Sequence, residues 1–254
     1  MLISVVNLST RVSDEQAVRV VRAGNRQLQE DFAPHWHIQA SLRLEGRARK
    51  MELGRRTPML RGDAILYLSD AAGSGGIEGY HEAAARGLPF GVVYVDLAEQ
   101  CDRTWTPTFS HEYLELAVDP LLALTAAGPH QTTRKRTVFY WYEICDPVEA
   151  DHYELDGVKL SNFVLPEYFD VSRRAVGAHD FLGKRRGTRG LAPFGVSPGG
   201  YVTFYDPRDR STRTYEGLGD HEAARRRRIK KAAKMRRATR RARRDDLRVR
   251  LFKR

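Results

Sequence analysis

The run Ser110-His111-Glu112-Tyr113-Leu114-Glu115-Leu116-Ala117-Val118-Asp119-Pro120 offers one imidazole and three carboxylates. Read as a helix, His111 and Glu115 lie four residues apart on one face, and Asp119 continues that row one turn later. Glu112 stands beside His111, turned by about a hundred degrees at ~3.6 residues per turn. A neutral imidazole and a carboxylate on one face can hold a divalent metal, and a second carboxylate beside them can take a proton from metal-bound water. In that arrangement His111 and Glu115 are ligands and Glu112 is the general base. A solvated acidic helix face would carry the same residues, so the surrounding chain bears on the choice.

The elements around the motif suit a site. Thr106-Pro107 is a helix start, with Thr106 as N-cap and Pro107 at the first position. Pro120 biases Asp119 out of the helical region, so the helix ends there. Asp119 is then placed either to orient the His111 ring from behind or to cap the helix end. Downstream, Thr137-Val138-Phe139-Tyr140-Trp141-Tyr142 is β-branched and aromatic, a strand that delivers Glu143-Ile144-Cys145-Asp146-Pro147. Glu143, and after it Asp146, are the acids expected to complete a metal site. The bland reading of both is a solvated acidic turn, but they follow a strongly apolar strand.

Upstream, residues 2–8 read as a buried strand. Ser13 and Gln16 form a capping box for a helix of about five turns, with Val18, Val21, Leu28 and Phe32 on its apolar face and Pro34 after its end. Trp36 to Leu44 alternates as a strand, Glu45 to Arg61 reads as loop or hairpin, and Ala64 to Leu68 as a buried strand. The glycine-rich run 71–82 lacks the Lys-Ser/Thr of a phosphate loop and reads as a turn, with His81-Glu82 as a surface pair. Residues 89–96 form another strand. Beyond the acidic corner, Asp156-Gly157 marks a type I′ hairpin, and residues 201–215 a second hairpin. Residues 126–136 and 177–200 read as loops.

The chain has 254 residues, 41% hydrophobic and 30% charged, enough for one domain and an appendage. The charge is split. Residues 221–254 hold 17 Lys and Arg against 3 Asp and Glu; of the formal net charge of +11 this tail supplies +14, leaving −3 for residues 1–220. The tail reads as helical or disordered and as an electrostatic arm for DNA or RNA. Residues 221–251 contain no aromatic side chain, so binding would be sequence-blind and salt-sensitive. Cys101 and Cys145 do not make a disulfide framework and read as small buried side chains. No apolar run is long enough for a transmembrane helix, and the N-terminus lacks the basic start of a signal peptide. A cytoplasmic or phage-particle location is the expectation.

The motif helix is similar to the His-Glu-x-x-His helix of metalloproteases, with Glu115 in place of the second histidine. The order strand, long helix, strand, strand, edge-like strand, motif helix resembles the N-terminal half of zincin metalloproteases. A narrower resemblance is to uncharacterised bacterial and phage proteins carrying Ser-His-Glu-x-x-Glu-x-x-x-Asp-Pro, then Glu-Ile-Cys-Asp-Pro and Asn-Phe-x-x-Pro. Here these are Ser110 to Pro120, Glu143 to Pro147 and Asn162 to Pro166. The plant exordium-like family is similar over two of these stretches.

These resemblances imply an α+β, zincin-like metal-binding domain over residues 1–220. It would have a mixed sheet with two helices, a hairpin-rich second half and the basic tail after it. They also imply that residues 90–96 are an edge strand that takes extended substrate by strand addition. The activity implied is that of a zinc-dependent peptidase acting on protein or peptide. The missing histidine makes the ligand set harder than a usual zinc site, which opens it to manganese or calcium. The alternative is a non-catalytic, virion-type structural or nucleic-acid-binding protein on the same scaffold.

Overall fold

In a computed structural model the described residues are 1–47, 60–70, 78–84, 87–100, 104–133, 135–172, 177–187 and 190–217. The basic tail and Cys101 lie outside them. The architecture is mixed α/β, with strands in several sheets.

The first sheet contains β1 (Leu2–Asn7), β2 (Ser41–Arg47), β3 (Ala64–Ser69), β4 (Gly79–Ala83) and β5 (Pro89–Tyr94), in the order β2-β1-β3-β5-β4. All neighbours are parallel except β4, which runs antiparallel to β5. The central strand β3 is apolar on both faces, as a covered parallel strand must be. Alternation divides its side chains. Ala64, Leu66 and Leu68 enter the main core, and Ile65 and Tyr67 enter a smaller cluster with Phe90, Val92 and Tyr94 on the opposite face. The strand expected to form the edge, β5, is therefore interior, and β4 takes the outer place. The glycines upstream of β4 obscured its strand pattern.

The first helix, α1 (Asp14–Arg26), opens with the expected Ser13–Gln16 capping box. Asn25 locks it to β2, donating to Leu42 O at 2.9 Å and accepting from Leu42 N at 2.7 Å. Helical backbone does not stop before Pro34. A π turn over Gln27–Phe32 leads into α2 (Ala33–Trp36), which ends at His37 in the left-handed region. The π turn lies directly ahead of the proline, where an α-helix would lose a hydrogen bond and meet a clash. The next strand consequently begins at Ser41, later than its alternation suggests.

After β5 comes α3 (Val95–Gln100), then the motif helix α4 (Thr106–Val118). The second sheet has the order β11-β10-β7-β6. It is built from β6 (Thr125–Pro129), β7 (Thr137–Trp141), β10 (Tyr201–Asp206) and β11 (Ser211–Glu216). The segment β6 was expected to be loop, since Ala126, Ala127 and Gly128 carry no β signal; pairing with the strong strand β7 draws it in. The hairpin of β8 (His152–Leu155) and β9 (Val158–Ser161) turns at Asp156-Gly157, both at positive φ, as a type I′ turn requires. Within the expected loop 177–200, Asp180 caps a short helix, α5 (Phe181–Arg186). Among the described residues no helix is long and apolar enough to cross a membrane.

Candidate metal centre

Three pieces of chain meet at α4. One side of the helix lies on β4 and β5, and another receives the β8–β9 hairpin. The hairpin is pinned at two points. Ser161 N–H donates to Ser110 Oγ at 2.8 Å, and Thr106 Oγ1 donates to Lys159 O at 2.7 Å. From the π turn after α1, Gln27 accepts a hydrogen bond from Tyr113 and donates to Tyr153 Oη and Ser161 O. These contacts fix the rotation of α4, so that Phe109, Tyr113, Leu114 and Leu116 face the core. Thr108, His111, Glu112 and Glu115 are left for the remaining face.

The corner after β7 is fixed by backbone. Val164 N donates to Ile144 O at 2.8 Å, so the Asn162–Pro166 segment straps the corner down. Asn162 in turn donates to Asp180 and accepts from Leu182 N. Cys145 N–H then reaches Glu115 Oε1 at 3.1 Å, and Asp146 opens a short 3₁₀ turn.

The expected residues are brought together as follows. His111 Nε2 lies 3.1 Å from Glu115 Oε2 and 3.2 Å from Asp146 Oδ1. Ligand atoms within 4.8 Å of one another fall into two groups, His111–Glu115–Cys145 and His81–Glu115–Glu143. Glu143 therefore joins Glu115 through a residue outside the expected set. Asp146 touches His111 but belongs to neither group. Asp119 takes the capping role; its carboxylate accepts from Ala123 N at 2.9 Å and Leu124 N at 2.8 Å. Both oxygens are committed to that turn, and its contacts do not include the His111 ring.

His81 is the residue that sequence reasoning placed wrongly. It is 94% buried, with Nδ1 at 3.5 Å from Glu112 Oε2 and 3.6 Å from Glu115 Oε2. The register of β4 explains this. His81 pairs with Gly91, while Tyr80 between His81 and Gly79 turns to the opposite cluster. Gly79 permits the close approach of α4, because a Cβ there would stand 2.6 Å from Glu112 Oε1 and 2.7 Å from Thr108 Cγ2. The alternation Gly79-Tyr80-His81 was the available signal.

Burial shapes the electrostatics. Glu78, Glu112, Glu115, Glu143 and Asp146 are all buried. Burial raises Glu115 well above the usual carboxylate range, with the charges of Glu143 and Asp146 adding to the effect and His111 opposing it. Asp146 is pushed up to about 6, mainly by burial, against its hydrogen bond to His111. Burial opposes charging of both histidines, but their acidic neighbours outweigh it. His81 rises to about 9 through Glu112, Glu143 and Glu115, and His111 rises well above its ordinary value through Glu115 and Asp146. Burial also raises the Cys145 thiol.

A pocket richer in carboxylates than in histidines, closed from water, is stabilised by protons or by a cation. Glu112 Oε2, itself buried and 3.5 Å from His81 Nδ1, has no hydrogen-bond partner among the described residues. The donors therefore fit a divalent ion, with nitrogen and oxygen ligands of the kind zinc and manganese accept. Comparison of the chain with protein-family models, with curated proteins and with solved structures returns no match.

Proposed function

We propose that this chain is a metal-dependent hydrolase whose substrates are proteins or peptides. The reading is supported chiefly by one observation: His111 and Glu115 of α4 meet the 143–146 corner in a buried pocket, with Glu112 beside them. A bound divalent ion would lower the pKa of a water at the site towards neutrality. Glu112 takes the proton from the attacking water and passes it to the leaving amine. His111 and Glu115 would hold the ion, and Cys145 would complete the set. Assigning residues 1–220 to a zincin-like domain is part of this proposal; the antiparallel outer strand β4 beside α4 is compatible with it. The basic tail is proposed to hold the protein to nucleic acid, without reading its sequence.

The depth of the cluster favours a second reading. The side chains of Glu112 and Glu115 are only 6% and 2% exposed, which suits a closed structural cation site. Metal analysis of the purified chain, with peptide hydrolysis measured for Glu112→Gln, separates the two. The hydrolase predicts a bound transition metal, and hydrolysis reduced by roughly a hundredfold or more in Glu112→Gln with the metal retained. Calcium alone, without cleavage by the unaltered protein, would overturn the enzyme and support the structural site.

A further inference from the structure

We propose that the pocket holds two cations, with Glu115 as the carboxylate between them. This rests on the metal-site reading above and extends it from one ion to two. The two groups of converging donors share only Glu115. On one side stand His111 and Cys145, and on the other His81 and Glu143. Donor atoms around a cation bonded at ~2.0–2.2 Å lie roughly 3–3.5 Å apart. The 3.1 Å from His111 Nε2 to Glu115 Oε2 falls in that range, and the 3.6 Å from His81 Nδ1 to the same oxygen is just beyond it.

One carboxylate oxygen is thus faced by two imidazoles from different elements. The other, Oε1, is held by the backbone N–H of Cys145 at 3.1 Å, which fixes the plane of the carboxylate. Beside the second group stands an independent mark of a missing ligand: Glu112 is buried, and its Oε2, 3.5 Å from His81 Nδ1, has no hydrogen-bond partner among the described residues. A buried carboxylate oxygen left in that state costs free energy that a cation beside it would offset. Two ions a few ångströms apart can hold both the attacking water and the carbonyl oxygen of a peptide bond.

The test is metal stoichiometry on the full chain. Apo protein is titrated with zinc, bound metal is counted after desalting, and the manganese-loaded form is examined by electron paramagnetic resonance. The expected result is two equivalents of zinc per chain and a spin-coupled manganese spectrum. His81→Ala should retain one equivalent and show an uncoupled signal. One equivalent in the unaltered protein overturns the second site but leaves the proposed function standing, and none overturns both. Two equivalents that survive His81→Ala also overturn the assignment. If that variant does not fold, the manganese spectrum of the unaltered protein decides, because two uncoupled ions are incompatible with a shared Glu115.

Discussion

His81 Nδ1, on the outer strand of the first sheet, lies 3.6 Å from Glu115 Oε2, on the helix packed across that strand. The contact ties the sheet edge to the motif helix through an imidazole that either a proton or a cation can occupy. It makes the pocket a junction of three elements, β4, α4 and the corner after β7, rather than a property of one helix.

Metal-free protein should lose stability as the pH rises. His81 is held at about 9, above its ordinary value, so its proton-linked contribution is complete below that ordinary value and is lost as the pH passes about 9. Asp146, held at about 6, also binds its proton more tightly in the folded state, and its contribution fades as the pH rises through about 6. A bound cation takes the place of these protons. Thermal melts with zinc and with chelator should therefore nearly coincide in acid and separate as the pH rises. A metal-free melting temperature that climbs between about pH 6 and 9 would contradict this assignment.

Gly79→Ala should disturb the site more than the fold. The added Cβ would sit 2.6 Å from Glu112 Oε1, so the carboxylate, whose Oε2 lies beside His81, must swing away. Overpacking of this kind costs about 1–3 kcal/mol. The expectation is a folded variant with a modest drop in melting temperature and a disproportionate loss of peptide hydrolysis. Unchanged hydrolysis would mean that the position of Glu112 is not critical.

Asp119→Ala separates capping from a role in the site. It removes two hydrogen bonds to the backbone N–H groups of Ala123 and Leu124. Ala123 and Leu124 are exposed, so water can replace part of what is lost, and each bond is worth about 0.5–1.5 kcal/mol. Stability should fall while zinc affinity is unchanged. A tenfold or larger loss of zinc affinity, the order seen when a ligand-orienting partner is removed, would instead give Asp119 a part in holding His111.

Removing residues 221–254 should abolish salt-dependent retention on DNA. The segment carries 17 Lys and Arg, and each phosphate neutralised contributes about 0.9 to the slope of log affinity against log salt. Binding measured from low to moderate salt should show a steep slope in the full chain and almost none in the truncated one. Equal retention by the two forms would refute the tail as the binding arm.

The strand at Leu2–Asn7, the capping box at Ser13, the α4 span (with its cap at Trp105 rather than the expected Thr106) and the two later hairpins were legible in the chain, because each carries a local signal. These signals are an apolar run, a capping pair, a Pro at either end of a helix, and Asp-Gly with its positive φ. The same holds for the pairing of His111 with Glu115, since four residues in a helix put two side chains on one face. Of the two acids expected at His111, Glu143 first and Asp146 second, it is Asp146 that lies 3.2 Å from the ring, while Glu143 groups with His81 and Glu115.

Tertiary structure decided the rest. Whether His81 faces water or the carboxylates depends on the register of β4 against β5, and a shift of one residue would exchange His81 for Tyr80. Which acid accompanies which histidine depends on where the Asn162–Pro166 strap holds the corner. Asp119 could be read two ways from its spacing, and the turn at Ala123 and Leu124 took both of its oxygens. Local periodicity sets the face a side chain occupies. Only the packing of one element on another sets what that face meets, because those distances depend on contacts between residues far apart in the chain.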